Sequence, residues 1–142
     1  MPRQLRTRPV GLAEVCAYAS KADEFAAAPA GELEAGRPVA ATSLAVHAAI
    51  NAADAVCGAR LGRRAAGTDH DQVLALLAEA GRDGTDLGPR LRRLLSLKTK
   101  AEYEPVGISA SVAARAVEAA QRCVAVARRS VAAVSEEGTD GG

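Results

Sequence analysis

The sequence predicts an all-α fold, an antiparallel four-helix-type bundle with one additional short helix. Three observations favour this fold. Alanine, the best helix former, occurs 34 times among 142 residues. The only aromatic rings are Tyr18, Phe25 and Tyr103, so aliphatic side chains must fill the core. Apolar residues recur at three- and four-residue steps through most of the chain, which is the spacing of amphipathic helices.

The length of the chain indicates one domain, which we expect to be cytoplasmic. We expect the bundle over residues 10–134, a basic arm over residues 1–9 and a disordered tail over residues 135–142. The formal net charge of +1 predicts no strong overall attraction to nucleic acid or to a membrane. No signal peptide or membrane span is apparent. Cys16, Cys57 and Cys123 are predicted to be buried free thiols, which fits a reducing compartment.

The first two predicted helices run from about Val10 to Ala35, with a kink at Pro29, and from Pro38 to Leu61. Before its final residues, the second helix carries Asp54 as its only formally charged side chain. A surface helix normally has one charged face. This helix is therefore predicted to be central in the bundle and also to face a second copy of the chain, which predicts a homodimer through residues 38–61.

The second half of the chain predicts three more helices. A short third helix over Asp69–Ala80 is capped by Thr68 or Asp69, and a polar loop over Gly81–Gly88 follows it. The fourth helix runs from about Pro89 to Tyr103. The fifth begins after a Ser109 or Ser111 cap and continues to about Val134 with near-coiled-coil spacing.

Several of these segments resemble the HEPN domains of prokaryotes. The resemblance is carried by SLAVHAAINAADAVCGARLG, by TDHDQVLALL, and by LRRLLSLKTKAEYEPVGIS followed by a long Ala-rich helix. It spans roughly residues 10–134. The resemblance implies a helical bundle that dimerises. Many members of that family are metal-independent ribonucleases of toxin–antitoxin or antiviral systems, whereas others pair with a small nucleotidyltransferase or are catalytically inert.

The family's ribonuclease motif is an Arg followed four to six residues later by a His. Five residues separate Arg64 from His70, and six separate Arg63 from it. The resemblance implies proton transfer by His70 and stabilisation of the phosphate charge by Arg64. Two features depart from the motif. Ala65 replaces a polar neighbour, and the pair spans a loop after the second helix rather than the start of a late helix. At that later position the chain offers Lys98, Lys100 and Tyr103, without a His.

A polar ridge follows one side of the second helix at steps of four, four and three residues: Ser43, His47, Asn51 and Asp54. Buried polar groups need partners, so one interpretation is a hydrogen-bond network that fixes helix register or the dimer interface. The other is a nucleotide or RNA pocket in which His47 and Asp54 act together, with His47 as a second catalytic candidate. A metal site would need ligands from other helices.

The fourth predicted helix is the most basic segment, with Arg90, Arg92, Arg93, Lys98 and Lys100. These cations could hold phosphates together with Arg63 and Arg64, or could form a solvated face. Tyr103 is predicted to be a packing residue rather than a catalytic acid. The sequence contains no Gly-rich phosphate loop, CxxC pair, HExxH or nucleophile elbow, so we expect neither a metal nor a cofactor.

These observations favour a HEPN-like domain that binds or cleaves RNA or nucleotides in a bacterial stress, toxin–antitoxin or defence module. The alternative is a non-catalytic dimeric helical interaction module. The sequence does not decide whether the chain is an enzyme.

Overall fold

The computed structural model describes residues 5–67, 69–104 and 107–140, with side chains as far as residue 136. It confirms the predicted all-α bundle, to which a small two-stranded sheet is added. The elements are β1 (Thr7–Pro9), α1 (Leu12–Ala27), α2 (Pro29–Glu34), α3 (Pro38–Leu61), β2 (Arg63–Ala65), α4 (His70–Ala78), α5 (Gly81–Tyr103) and α6 (Ala110–Asp140).

Helix α3 has the predicted bounds and lies at the centre of the bundle, where it packs against α1, α5 and α6. Pro38 opens it, and Gly62 closes it in the left-handed conformation at a φ of 69°. Its alanines are enclosed within one chain, which accounts for its uncharged surface without a second copy. The buried alanines are Ala41, Ala45, Ala48, Ala49, Ala52, Ala53 and Ala55. The homodimer through this helix stays a prediction.

Glycine allows α1 and the N-terminal segment to approach α3 closely. A β-carbon at Gly58 would lie 2.6 Å from Cγ2 of Val15 and 2.8 Å from Cγ2 of Val10. Among the described residues, α3 is the one helix long and apolar enough to cross a membrane, but 61% of its apolar stretch is buried inside the protein. Its composition is therefore that of a core helix, which is consistent with a soluble protein.

Several predicted boundaries differ from the structure. The first helix stops at Ala27, and Pro29 opens the separate helix α2, because proline suits a first turn better than a helix interior. The segment Gly81–Gly88, predicted as a loop, forms the first two turns of α5. Helix α6 continues through Ser135 to Asp140, where a disordered tail was expected; residues 141–142 lie outside the described residues.

Two predicted helix caps and two of the three buried thiols are confirmed. Asp69 accepts a hydrogen bond from the Asp71 backbone at the start of α4, and Ser109 accepts one from the Val112 backbone at the start of α6. Thr68, the alternative cap for α4, lies outside the described residues. Cys57 and Cys123 are buried, and burial raises the pKa of each thiol to about 12. Cys16 is exposed, so the prediction for it is wrong.

A short antiparallel ladder ties the basic arm to the loop after α3. Strand β1 pairs with β2 so that Arg8 lies opposite Arg64. Two further backbone hydrogen bonds extend the contact: Val10 donates to Gly62 at 3.0 Å, and Ala66 donates to Arg6 at 2.8 Å. The basic arm is therefore a strand over Thr7–Pro9, and it fixes the backbone that carries Arg64.

A buried carboxylate joins α3, α5 and α6. Asp83 accepts hydrogen bonds from Arg60 at 2.7 Å, from Arg129 at 2.7 Å and from the Ser130 hydroxyl at 2.6 Å. Burial raises the pKa of Asp83, but the hydrogen bonds from Ser130, Arg129 and Arg60 outweigh burial and bring it down to about 2. Asp83 therefore stays ionised and connects three helices at this end of the bundle.

Candidate functional site

Five of the predicted site residues line one cavity of about 560 Å³. Helix α3 contributes His47 and Asp54, the β2 segment contributes Arg64, α4 contributes His70 and α5 contributes Lys98. Residues far apart in the sequence are thus brought together by four elements. The remaining wall is apolar or lacks a side chain, and it is formed by Ile50, Ala65, Gly67 and Val73. A cavity of this size with a few convergent polar groups is typical of a small-molecule or nucleotide site.

Arg64 enters the cavity between a carboxylate and an aromatic ring. Its Nη1 atom lies 3.3 Å from Oδ2 of Asp54, and its guanidinium carbon lies 5.3 Å from the centre of the Tyr18 ring. The Arg64 Nε atom is buried and has no hydrogen-bond partner within the described residues. Burial raises the pKa of Asp54, while the charges of Arg64 and Arg8 oppose that rise. The guanidinium is therefore oriented and retains unused donor capacity.

His70 is the first residue of α4, directly after the Asp69 cap. Its Nε2 atom lies 3.4 Å from Nζ of Lys98, whose ammonium also lies 3.9 Å from Glu102. Burial lowers the pKa of His70, and the Lys98 charge lowers it further. His70 is therefore largely neutral at neutral pH, which is the form that can accept a proton.

His47 lies on the α3 wall and packs against an aromatic ring. The centres of the His47 and Phe25 rings are 5.5 Å apart, with an angle of 31° between their planes. This contact leaves the imidazole half-buried, and it lines the cavity opposite α4 and α5. The two histidines of the chain therefore share one cavity, although 22 positions of the sequence lie between them.

The four side chains of the predicted polar ridge on α3 do not share one environment. Asn51 donates from its side chain to the His47 backbone carbonyl at 2.9 Å, a local bond within the helix. Ser43 lines a different cavity, next to Ala101 and Glu102. Only His47 and Asp54 of the ridge line the cavity with Arg64. The ridge is therefore not one continuous hydrogen-bond network of the four side chains.

The other predicted site residues lie away from the cavity. Lys100 is exposed, and 75% of the Tyr103 surface is accessible, which overturns its assignment as a packing residue. Arg63, the alternative to Arg64, lies 3.6 Å from Glu79 and does not line the cavity. Of the two arginines at motif spacing, Arg64 is therefore the one that shares a cavity with His70.

Arg8 is a residue near the site that sequence reasoning missed. Its charge acts on Asp54 because β1 places Arg8 beside Arg64 in the ladder. Pairing of two three-residue strands across more than fifty positions leaves no local pattern that could have indicated this. Ile50 could have been found, because it lies one turn after His47 on the same side of α3.

The assembled groups favour an anion. Arg64 and Lys98 contribute two basic side chains, whereas Asp54 is the one carboxylate among the described residues that line the cavity. The amino end of α4 adds a partial positive charge beside His70. Within the described residues, no group of three or more His, Cys, Asp or Glu side chains could hold a metal ion. A phosphate flanked by two imidazoles fits these groups.

No protein-family model matches this chain, and no curated protein is significantly similar to it.

Proposed function

We propose that the chain is a HEPN-type domain that binds the phosphate of RNA in the cavity of Arg64 and His70 and cleaves RNA without a metal ion. The observation that supports this proposal is the presence of both motif residues, together with His47 and Lys98, around one cavity. Arg64 and His70 line the same cavity even though they precede the late helix.

The proposed reaction is transesterification at one phosphodiester. The ribose 2′-hydroxyl gives its proton to His70, its oxygen bonds to phosphorus, and the bond to the 5′-oxygen breaks. His47 supplies the proton that the departing 5′-oxygen takes up, and the products are a 2′,3′-cyclic phosphate and a free 5′-hydroxyl. Arg64 stabilises the charge that develops on the phosphate oxygens.

Lys98 has two roles in this proposal. Without substrate, its ammonium contacts Nε2 of His70, the nitrogen that has to accept the proton. A phosphate oxygen is a stronger acceptor than a neutral imidazole, so bound RNA draws Lys98 away and frees the ring. The binding of RNA therefore also releases Nε2 of His70 from Lys98, so substrate binding activates His70 as the base.

The experiment is RNA cleavage in the presence of EDTA, followed on a fluorescently labelled single-stranded RNA. His70→Ala should abolish cleavage while retaining the helical circular dichroism of the parent, and His47→Ala should slow it by about 100-fold. Lys100→Ala is the matched control, because Lys100 is exposed outside the cavity. Undiminished cleavage by His70→Ala would exclude the proposed roles.

We further propose a cytoplasmic role in a bacterial stress, toxin–antitoxin or defence module, as a homodimer and with a nucleotidyltransferase partner. The buried alanines of α3 are unsuitable for testing dimerisation, because their replacement would unfold the single chain. Val39 is exposed on α3, so Val39→Glu is the better probe. Sedimentation analysis should give a dimer for the parent and a monomer for this variant.

A further inference from the structure

Helix α5 is flanked by two apolar grooves, on the side of α6 and on the side of α4, and Arg93 lines both of them. We propose that this surface docks an acidic amphipathic helix of a partner protein. The surface lies apart from the cavity of Arg64 and His70, so the proposal is independent of the proposed RNA cleavage.

The first groove lies between α5 and α6 and has a volume of about 350 Å³. Its floor is aliphatic, and Arg93 and Arg115 complete its lining from opposite helices. This space accepts one or two aliphatic side chains of a partner. The floor is formed by Leu94, Leu97, Val112, Ala116 and Ala119.

The second groove lies between α4 and α5 and has a volume of about 390 Å³. Leu74 and Ala78 of α4 form one wall, and Gly84, Gly88 and Pro89 of α5 leave the other wall without large side chains. Thr85, Arg92 and Arg93 complete this lining. Each groove thus combines an apolar interior with at least one guanidinium.

The arginines of this surface are free to bind an acid. Among the residues that the structure describes, no carboxylate lies within ion-pair distance of Arg92, Arg93 or Arg115. All three are exposed. Arg90, in contrast, already pairs with Asp86 at 3.5 Å. Charge complementarity therefore favours a partner that places carboxylates over Arg92 and Arg93, on the part of α5 that lies between the two grooves.

The spacing of the grooves suits a helix. Helix α5, about 10 Å across, lies between them, and the first groove is lined further along α5, by Leu94 and Leu97, than the second, which is lined by Gly84 and Gly88. A partner helix therefore has to cross α5 obliquely, and its side chains seven residues apart are about 10 Å apart along its axis. A partner helix that crosses α5 can place apolar side chains i and i+7 in the two grooves. Its residues i+3 and i+4 then lie above Arg92 and Arg93, so acidic residues are required there.

A protein fits this surface better than RNA does. Among the described residues, neither groove is lined by an aromatic ring on which an unpaired base could stack, and apart from the arginines and Thr85 both linings are apolar. A phosphate backbone would satisfy the arginines but would leave the grooves empty. An amphipathic helix satisfies both, in the helix-in-groove mode of recognition.

The test is fluorescence anisotropy with a synthetic, helix-stapled peptide that carries Leu at i and i+7 and Glu at i+3 and i+4. We expect saturable binding that weakens as salt rises. Arg93→Glu should weaken it at least tenfold, whereas Arg122→Glu should leave it unchanged. Arg122 is an exposed arginine of α6 that lines neither groove, and its substitution changes the charge equally.

Two altered peptides and two further measurements complete the test. Replacing both Leu by Ala, or both Glu by Lys, should abolish binding. Equal binding by the Lys peptide, or by the Arg93→Glu protein, overturns the proposal. The proposal is also overturned if a single-stranded RNA binds the parent protein and Arg93→Glu abolishes that binding, because the partner is then a nucleic acid. A parent dimer that Arg93→Glu converts to a monomer overturns it as well, because a second copy then occupies the surface.

Discussion

The ammonium of Lys98 lies 3.4 Å from Nε2 of His70. A protonated amine can only donate, so this contact is a hydrogen bond only when Nε2 carries a lone pair. Burial and the Lys98 charge both favour that neutral ring. The protonation of His70 is therefore coupled to the position of Lys98.

We predict that the pKa of His70, measured by NMR titration of its ring protons, lies below the ordinary 6.5 and rises in Lys98→Met. Removing the cation removes one cause of the depression, while burial remains. Lys100→Met should leave the pKa unchanged. The pKa of His70 is lower in the folded chain than in the unfolded chain, so the unfolded chain binds the imidazole proton more readily. The contribution of His70 to the free energy of unfolding is therefore present above pH 6.5 and is lost as the pH falls through the folded pKa. An unshifted pKa in Lys98→Met would contradict the coupling.

Asp54→Asn should separate binding from turnover. Loss of the carboxylate makes the cavity more positive, so RNA should bind several-fold more tightly, and KM should fall. Arg64 loses the charged partner that orients it, so kcat should fall as well. Parallel decreases in affinity and kcat would argue against a positioning role for Asp54.

The same variant should have a higher Tm at pH 7 than the parent. Burial is the main cause of the raised pKa of Asp54, so the parent loses stability as the pH rises from the unfolded pKa of 3.8 through the higher folded pKa, and the full cost is present above it. Asn removes that cost and keeps an acceptor for Arg64. Higher stability with lower turnover is the behaviour expected of a residue retained for function.

Asp83→Asn should destabilise the protein by about 3 kcal/mol, because it leaves Arg60 and Arg129 without their shared anion. Chemical denaturation at pH 7 measures this loss. Asp86→Asn is the matched control and should cost less than about 1 kcal/mol, since Asp86 is half-exposed and makes longer contacts. For the parent, the contribution of Asp83 should be present above pH 3.8 and be lost as the pH falls towards 2. Equal losses for the two variants would contradict this account.

Gly84→Ala and Gly88→Ala should have opposite effects, although both glycines lie in α5. A β-carbon at Gly84 would lie 1.9 Å from the backbone oxygen of Leu77, so α4 and α5 would have to separate, at a cost of at least about 2 kcal/mol. A β-carbon at Gly88 meets nothing within 4 Å, so alanine there should stabilise the helix by about 1 kcal/mol. Thermal unfolding of both variants checks the pair, and a stable Gly84→Ala would show that the helices are not in close contact.

The sequence alone was sufficient to predict the bounds of α3, because Pro38, Gly62 and the apolar run between them are local signals. It was misleading for Gly81–Gly88, whose composition favours a loop. There the helix depends on non-local packing: Leu87 is fully buried, Asp83 binds residues of α3 and α6, and Gly84 allows close contact with α4. Tertiary packing thus outweighed local propensity.

The sequence indicated most residues of the candidate site, but it did not indicate which of them would lie together. Histidine and arginine at motif spacing indicated Arg64 and His70, and the ridge of α3 indicated His47 and Asp54. That Lys98 would join them, while Lys100 and Tyr103 would not, depends on the rotation of α5 against α4. That rotation is set by contacts among side chains distant in the sequence, which a periodic pattern does not contain.

The ladder between β1 and β2 has a practical consequence for anyone who purifies this protein. Arg8 and Arg64 are opposite each other in that ladder, and Arg6 bonds Ala66 next to the cavity-lining Gly67, so a pull on this strand from an affinity tag or fusion partner acts on the backbone that carries Arg64. Such a pull can shift Arg64 and weaken ligand binding without changing the helical spectrum. Assays of activity therefore call for material whose tag has been removed or placed at the opposite terminus.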